Sequence, residues 1–261
     1  MADPGLIAGR ISSFVALILI AGLILYYILR ASSFKKIPEL RRIAGIEAID
    51  DAVKRCAELG KPIHFTLGIG GLADTDASQT IAAIGVMSYA TRLAAQLNID
   101  SIVTVCVQNL MPAVEEVVRQ NYEAENAEFK PSYVRYSGPN QAYLALAIQG
   151  IMEREKPGAN FMMGLFDEEA IAIAEKGYRT GSIGIGGTTT IGQMGILAAT
   201  MDYFLIGEEL YAVGAYLSKD RSQTMSIAAI DIWKVIALVT IIVGFVLVNF
   251  GSNIINQLLE F

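Results

Sequence analysis

Two apolar blocks, one near each end of the chain, constrain the fold more than any other feature of the sequence. Residues 11–29 read ISSFVALILIAGLILYYIL and carry no charge, and residues 232–250 read IWKVIALVTIIVGFVLVNF with one lysine near the start. Each block has about the 20 residues that a helix needs to cross about 30 Å of hydrocarbon. The sequence therefore predicts transmembrane helices over 11–30 and 231–250.

A cleaved signal peptide is the alternative interpretation of the first block. Its apolar core is long, however, and no A-x-A-like cleavage site follows it. Signal peptides have a shorter apolar region that ends at such a site, so the sequence favours a retained span.

Basic residues cluster on the side of each block that faces the middle of the chain. Positive charge near the ends of a span stays on the cytoplasmic side. We therefore expect a protein of the cell (inner) membrane, with 1–10 and 251–261 outside the cytoplasm and 31–230 as a cytoplasmic domain. The basic residues on the inner side are Arg30, Lys35, Lys36, Arg41, Arg42, Lys219, Arg221 and Lys234, against Arg10 on the outer side.

Overall composition narrows the class of protein further. The chain is 53% hydrophobic and 18% charged, which is too charged for a transporter with many spans, and its net charge of −6 argues against a nucleic-acid partner. Cys56 and Cys106 have neither a C-x-x-C spacing nor the spacing of metal ligands. We expect both to be reduced and buried as small apolar side chains.

The segment between the spans alternates between β-rich runs and amphipathic helical patterns. Six strand–helix units in series indicate an α/β domain with a mainly parallel sheet of about six strands and helices on both faces. Ser78 is the predicted cap of the second helix of the domain, and Gly177 the residue that ends the helix after the fourth strand. The predicted strands lie in 61–68, 101–108, 132–137, 159–166, 181–187 and 202–207.

The first glycine-rich turn, LGIGGLADTDASQT at 67–80, contains a G-x-G-x-x-A pattern after a strand. A dinucleotide site needs the helix to open at the second glycine and an acidic residue after the next strand, and neither is present. The chain has no GK[ST] sequence either, so NAD and ATP are disfavoured as cofactors. Close backbone packing is the favoured role of this turn, while Gly70, Gly71 and Asp74 remain ligand-binding candidates.

The second glycine-rich stretch, SIGIGGTTTIGQMGILAA at 182–199, has two possible roles. The hydroxyls of Thr188 and Thr189 are candidates for ligand binding, and the threonines of this turn could equally cap the next helix. That helix carries Gly192, Gly195 and Ala199 on one side, a surface without bulk that permits close approach of another backbone. The three are candidates for self-assembly, and the alternative is that the glycines only accommodate the sheet beneath them.

Acidic and hydroxyl-bearing residues follow several of the predicted strands. The carboxyl ends of parallel strands share one edge, where ligands bind in this type of fold, and an edge without basic residues suits a cation. Asp167, Glu168 and Glu208 are therefore metal candidates, and Glu208 and Glu209 are ligand candidates. The alternative is that these carboxylates only complement the positive ends of helix dipoles.

The single histidine, His64, lies in the middle of the first predicted strand. A G-x-S-x-G nucleophile elbow is absent from the sequence, so a catalytic triad is not indicated. We expect His64 to be a hydrogen-bonded residue of the sheet interior.

Four segments resemble an uncharacterised family of prokaryotic membrane proteins, a domain of unknown function. They are GIEAIDDAV, PIHFTLGIGGL, EREKPGANFMMGLF and IGEELYAVGAYLS, and the resemblance extends from about residue 37 to the second span. It implies a span, an α/β domain and a second span, and it implies no reaction. Gly70, Gly71, Asp74, Glu208 and Glu209 lie in or beside these segments.

The sequence thus predicts a membrane-anchored homo-oligomer that acts as a scaffold and contains no evident catalytic machinery. The alternative is an enzyme or sensor that binds a ligand or metal at the acidic edge of the sheet. A channel is the weakest hypothesis, because the two spans lack the polar residues that line a pore.

Overall fold

The computed structural model describes residues 11–30, 44–73, 75–218 and 221–249, which fall into two units. The described parts of 1–41 and 218–261 form one unit, and 42–217 form the other. The first contains α1 (Ile11–Leu29) and α9 (Arg221–Asn249), which pack along each other. The predicted domain boundary at residue 230 lies inside α9.

One described helical segment, Ile227–Val246, is long and apolar enough to cross a membrane. Only 11% of its residues are buried, unlike the core helix of a globular domain. The N-terminal block contributes a shorter apolar helix over Ser13–Leu29. The structure therefore supports the predicted C-terminal span, whereas the predicted N-terminal span lacks this support.

The second unit is an α/β domain with a six-stranded, entirely parallel sheet. All six predicted strands are present, and the α/β class is confirmed. The strands are β1 (Ile63–Gly68), β2 (Ser101–Val105), β3 (Val134–Tyr136), β4 (Ala159–Leu165), β5 (Ile183–Thr188) and β6 (Tyr203–Ile206). The helices of this unit are α2 (Ala44–Leu59), α3 (Ala77–Gln96), α4 (Met111–Ala124), α5 (Gln141–Glu155), α6 (Glu169–Arg179), α7 (Ile191–Thr200) and α8 (Glu209–Ser218), with 3₁₀ turns at Gln108–Leu110 and Pro131–Tyr133.

The strand order is β3-β2-β1-β4-β5-β6. The chain proceeds outward from β1 to the edge strand β3, then returns to place β4 on the other side of β1. This is the doubly wound order in which the connections leave β1 and β4 in opposite directions, so a crevice forms between them at their carboxyl ends. The sequence pattern fixes the strands, but it contains no signal for their lateral order.

Helices cover both faces of the sheet, as the alternation predicted. The larger core packs α2, α3, α4 and α8 against the face that presents Phe65, Val103 and Phe161, which we call the apolar face. The smaller core packs α5, α6 and α7 against the opposite face. There the central strands present His64, Thr66, Thr104 and Asn160, all essentially buried, and we call this the polar face.

Two predicted helix boundaries are wrong. Helix α3 begins at Ala77 after Asp76, so Ser78 lies inside the first turn, where its hydroxyl is 3.1 Å from the Tyr211 hydroxyl. Gly177 lies inside α6 and does not end it. A Cβ atom at Gly177 would be 3.0 Å from Asn160 Nδ2, so this glycine lets α6 approach the sheet closely.

Candidate functional site

A crevice of about 550 Å³ opens at the carboxyl ends of β1, β2, β3 and β4. It includes the point where the connections from β1 and β4 diverge, and its volume is within the range of small-molecule sites, roughly 300–1,000 Å³. We call it the switch crevice. It is lined by Ile69, Cys106, Val107, Gln108, Tyr136, Pro139, Asn140, Gln141 and Asp167.

The connection from β3 to α5 forms one wall of the switch crevice. Ser137 holds this connection against β2, because its backbone N–H and its hydroxyl both donate to the Val105 carbonyl, at 3.0 and 3.1 Å. Gly138 then turns the chain with a φ of +112°. A Cβ atom there would lie 2.5 Å from Tyr143 Cβ, so both the conformation and the space require glycine.

Two helices, α5 and α6, begin at the switch crevice, and side chains of the protein accept from N–H groups in the first turn of α5 and just before α6. Asn140 Oδ1 accepts from the Ala142 and Tyr143 amides at 3.1 and 3.3 Å, a regular N-cap. Both carboxylate oxygens of Glu169 lie 3.1 Å from the Asp167 amide nitrogen, which donates to them. These contacts satisfy donors that would otherwise be available to an anionic ligand.

The thiol of Cys106 lies at the base of the switch crevice and donates to the Gly138 carbonyl over 3.3 Å. Burial raises its pKa, and the nearby charge of Glu169 raises it further. The pKa of Glu169 is itself raised, chiefly by burial, and the charges of Asp167 and Glu168 add to this effect. Cys106 is therefore a neutral thiol at physiological pH and lacks the low pKa of a nucleophilic cysteine.

An unsatisfied acceptor also belongs to the switch crevice. Gln141 Oε1 is inaccessible to solvent and has no hydrogen-bond partner among the described residues. Because solvent does not reach this oxygen, a ligand in the crevice does not reach it either, and Gln141 contributes other atoms to the lining.

The first glycine-rich turn packs against its neighbours. Gly68 has a φ of +71°, and a Cβ atom there would be 1.8 Å from the Leu165 carbonyl oxygen. A Cβ atom at Gly70 would be 2.6 Å from Thr80 Oγ1. These close approaches agree with the packing role that the sequence favoured. Gly71 is buried beside them, and Asp74 lies outside the described residues.

The segment Thr188–Thr190, which we call the threonine turn, is joined to the first glycine-rich turn through one buried side chain. Gln79 Oε1 accepts from the Thr189 hydroxyl at 2.7 Å and from the Thr189 amide at 3.2 Å, and Gln79 Nε2 donates to Thr190 Oγ1 over 3.4 Å. Thr188 Oγ1 accepts from the Thr190 amide at 3.2 Å. Thr190 is the N-cap residue of α7 but makes no side-chain cap bond. The threonine hydroxyls thus stabilise the turn.

The acidic residues of the predicted edge lie at separate helix starts. Asp167 lines the switch crevice, and Glu168 is the residue just before α6. Glu209 is in the first turn of α8, where its Oε2 atom accepts from the Ile206 amide at 3.0 Å, and Glu208 precedes it. Among the described residues, His, Cys, Asp and Glu side chains form no group of three that could hold a metal ion.

The assembly candidates lie on the exposed side of α7. Gly192, Gly195 and Ala199 are all solvent-exposed, and a Cβ atom at either glycine would meet no other atom within 4 Å. In the described domain, the glycines of α7 therefore do not accommodate the sheet, whereas Gly184 and Gly186 of β5 do, because a Cβ atom there would contact Met201.

Sequence reasoning missed much of the switch crevice. It identified Asp167 as a residue that follows a strand, but it omitted the residues after β3, among them Pro139, Asn140 and Gln141. Strand β3 has only three residues, so the place where it ends is a weak signal. The sequence GPN at 138–140, a turn followed by a good N-cap residue, was the available clue.

The fold has the strand order of dinucleotide-binding domains, but the residues present do not fit that cofactor. Helix α3 begins at Ala77, well after Gly68, and an acidic residue, Asp76, stands at its start. The Gly68 backbone faces the Leu165 carbonyl and leaves no room there for a pyrophosphate. Strand β2 continues into Cys106 and Gln108 in place of the carboxylate that binds a ribose.

The histidine lies in the polar face, far from an accessible surface. His64 Nδ1 is 2.8 Å from Asn160 Oδ1, and His64 Nε2 is 3.1 Å from the Thr104 hydroxyl. Because the amide oxygen can only accept, Nδ1 carries the proton and Nε2 accepts from Thr104. Burial lowers the pKa of His64 to about 4, so the ring is neutral at physiological pH.

Comparison with known proteins gives one match. The model of a family described as a domain of unknown function, DUF6754, matches residues 5–259. No curated protein and no solved structure matches the chain. The match confirms the expected relationship to an uncharacterised family over nearly the whole chain.

Proposed function

Because the chain belongs to the DUF6754 family, whose description names no activity, we propose from the geometry that it is a membrane-anchored protein that binds a small molecule. The observation that supports this most is the switch crevice. It combines the place where doubly wound folds bind ligands, a suitable volume and a lining of both apolar and polar side chains. Helix α9 is the proposed membrane anchor.

Binding without catalysis is the simplest function for this set of side chains. The ionisable groups that line the switch crevice are the carboxylate of Asp167, the phenol of Tyr136 and the neutral thiol of Cys106. The described lining residues include no histidine or lysine, the side chains that most often pair with a nucleophile as its base. We therefore propose a sensor or binding domain at the membrane.

The test is to fill the switch crevice with a side chain. Gln108 and Asn109 are adjacent, and both are exposed, but only Gln108 lines the crevice. The full chain, extracted from native membranes and then denatured, should release a bound small molecule that mass spectrometry detects. Gln108→Trp should lose this molecule, and the matched control Asn109→Trp should retain it. Equal release from both variants would contradict the proposal.

We propose the cytoplasm as the location of the α/β domain, from the basic residues that flank the inner ends of the apolar blocks. A cysteine in place of Asn126 should then resist an impermeant thiol reagent in intact cells. A cysteine in place of Gly5 should react with it if the N-terminal block also crosses the membrane. If only the cysteine at residue 126 reacts, the α/β domain lies outside the cytoplasm and the proposed topology is wrong.

A self-assembling scaffold is the second candidate function, favoured by the exposed side of α7. Residues 181–201 contain no charged residue, and Ile191 at the start of α7 is 85% exposed. Anchoring in a membrane confines the domains to one plane and raises their effective concentration, which favours a closed homo-oligomer.

Leucine substitution tests the scaffold. Gly195→Leu should reduce the mass of the detergent-extracted complex while the domain stays folded. Gly85 of α3 provides a matched control, because it is also an exposed helical glycine with open space around its Cβ position. If Gly85→Leu and Gly195→Leu leave complexes of the same mass, the α7 surface is not the interface.

A further inference from the structure

The charge of the switch crevice restricts which ligands can bind there. Asp167 is the only residue with a charged side chain among those that line it, and none of the lining residues is basic. A second carboxylate, Glu169, lies close enough for its charge to raise the pKa of Cys106. The electrostatic environment of the crevice is therefore negative.

Helix N-termini normally favour an anion, but carboxylates oppose this at the switch crevice. Asn140 caps α5, and the amide of Asp167, just before α6, donates to the Glu169 carboxylate. An anionic ligand at the start of α6 would lie beside the carboxylates of Asp167 and Glu169, which repel it.

The nearest basic residue of the strands that form the crevice is engaged elsewhere. Arg135 of β3 forms an ion pair with Glu155, the last residue of α5. The crevice lies at the first residues of α5, so this guanidinium is at the opposite end of the helix. It does not offset the charge of Asp167.

The remaining walls suit an apolar group attached to a donor. Ile69, Val107 and Pro139 present apolar surface, and the Tyr136 side chain is 44% exposed beside them. An ammonium group can donate to the Asp167 carboxylate, and the aromatic ring of Tyr136 attracts a cation.

We propose that the switch crevice binds a small organic amine, with its ammonium group at the Asp167 carboxylate and its apolar part against Ile69, Val107 and Pro139. This inference rests on the proposed binding function and adds the chemical class of the ligand. The same charges disfavour phosphates, nucleotides and carboxylic acids as ligands.

Protection of Cys106 from a small thiol reagent tests the ligand class in the full, detergent-extracted chain. Benzylamine, benzyl alcohol and benzoate are probes of similar size that carry a positive, zero and negative charge. Methyl methanethiosulfonate modifies the thiol, and mass spectrometry of peptides measures the rate at Cys106. Cys56 is completely buried in the larger core and serves as an internal control for unfolding.

We expect benzylamine at millimolar concentration to slow modification of Cys106 several-fold, benzyl alcohol to have a smaller effect and benzoate to have none. Asp167→Asn should raise the benzylamine concentration needed for half protection about tenfold or more, the usual effect of losing a charged hydrogen-bond partner. Glu168→Gln removes an adjacent charge that does not line the crevice, and should change this concentration less than threefold.

Two results would overturn the amine assignment: protection by benzoate that equals or exceeds protection by benzylamine, or a full benzylamine effect in Asp167→Asn. Absence of protection by benzylamine also counts against it. The binding function itself is judged separately, by whether Gln108→Trp loses the small molecule that the parent chain releases. If the molecule that Gln108→Trp loses is an anion, the binding site is supported and only the amine assignment is wrong.

Discussion

In the central strands β1, β2 and β4, both faces of the sheet are buried, but they differ chemically. On the apolar face, β1, β2 and β4 present Phe65, Val103 and Phe161, and the rings of Phe65 and Phe161 stack with centroids 5.8 Å apart. On the polar face, the same strands present the adjacent residues His64, Thr104 and Asn160. The same strands therefore supply an apolar core on one side and a hydrogen-bonded group on the other.

This difference separates two contributions to the fold. Apolar burial is not directional and supplies most of the free energy of folding. The bonds from His64 to Asn160 and Thr104 are directional and join three neighbouring strands. A shift in strand register would leave these buried groups unpaired, so the polar face specifies which residues align. The switch crevice opens on this polar face, where α5 and α6 cover the sheet.

The largest expected effect is on the apolar face. Phe161→Ala removes a completely buried ring and should lower the free energy of unfolding by about 3–5 kcal/mol. Met162 is the next residue, equally buried but directed to the smaller core, and Met162→Ala should cost less, about 2 kcal/mol. Urea unfolding of both variants measures the difference. A larger loss at Met162 would place the main stabilising core on the polar face.

The next effect is the response of the polar face to acid. Burial lowers the pKa of His64 from 6.5 to about 4, and the Asn160 bond opposes this only in part. The unfolded chain takes up a proton as the pH falls below 6.5, whereas the folded chain does not, so stability is full above pH 6.5 and declines below it. The loss should reach about 3 kcal/mol near pH 4.

His64→Gln isolates this contribution, because the chain has one histidine and its carboxylates titrate in both proteins. The difference in unfolding free energy between parent and variant should shrink steadily from pH 7 to pH 4. A difference that stays constant over this range would mean that His64 is solvated enough to titrate normally.

A single hydroxyl of the polar face should matter less. Thr104→Val keeps the shape of the side chain but leaves His64 Nε2 without its donor at 3.1 Å. An unpaired buried acceptor costs about 1–3 kcal/mol. Val103 of the apolar face provides the control, since Val103→Thr adds a hydroxyl among apolar side chains without a designed partner and should cost a similar amount. No loss in Thr104→Val would show that the hydroxyl does not contribute to the polar face.

The sequence predicted the strands well because each is a short run rich in apolar and β-branched residues, and helical patterns and turn residues separate the runs. It also predicted that His64 is a sheet residue. It could not predict the partners of His64, because Asn160 and Thr104 become neighbours only through the strand order. The same is true of Gln79 and the threonine turn, whose contact joins residues about 110 positions apart. Local patterns describe elements, whereas the crevice depends on how those elements are arranged.

The smallest expected effect concerns the glutamate at the first residue of a helix, which occurs on both faces of the sheet. Glu169 begins α6 on the polar face, and Glu209 begins α8 on the apolar face; each accepts from a backbone amide just before its helix. Glu209 is partly exposed, so its charge should benefit from the helix dipole, and Glu209→Gln should cost about 0.3–1 kcal/mol.

Glu169 is 5% exposed, and burial raises its pKa, with the charges of Asp167 and Glu168 adding to the effect. A raised pKa means that the folded state disfavours the ionised form, so the charge itself reduces stability at neutral pH. Glu169→Gln removes that charge and keeps one oxygen to accept from the Asp167 amide. We expect its unfolding free energy to equal or exceed that of the parent at pH 7, whereas Glu209→Gln falls below it. A greater loss in Glu169→Gln than in Glu209→Gln would mean that the buried carboxylate stabilises the polar face, and that the two faces hold their helix N-termini by the same electrostatics.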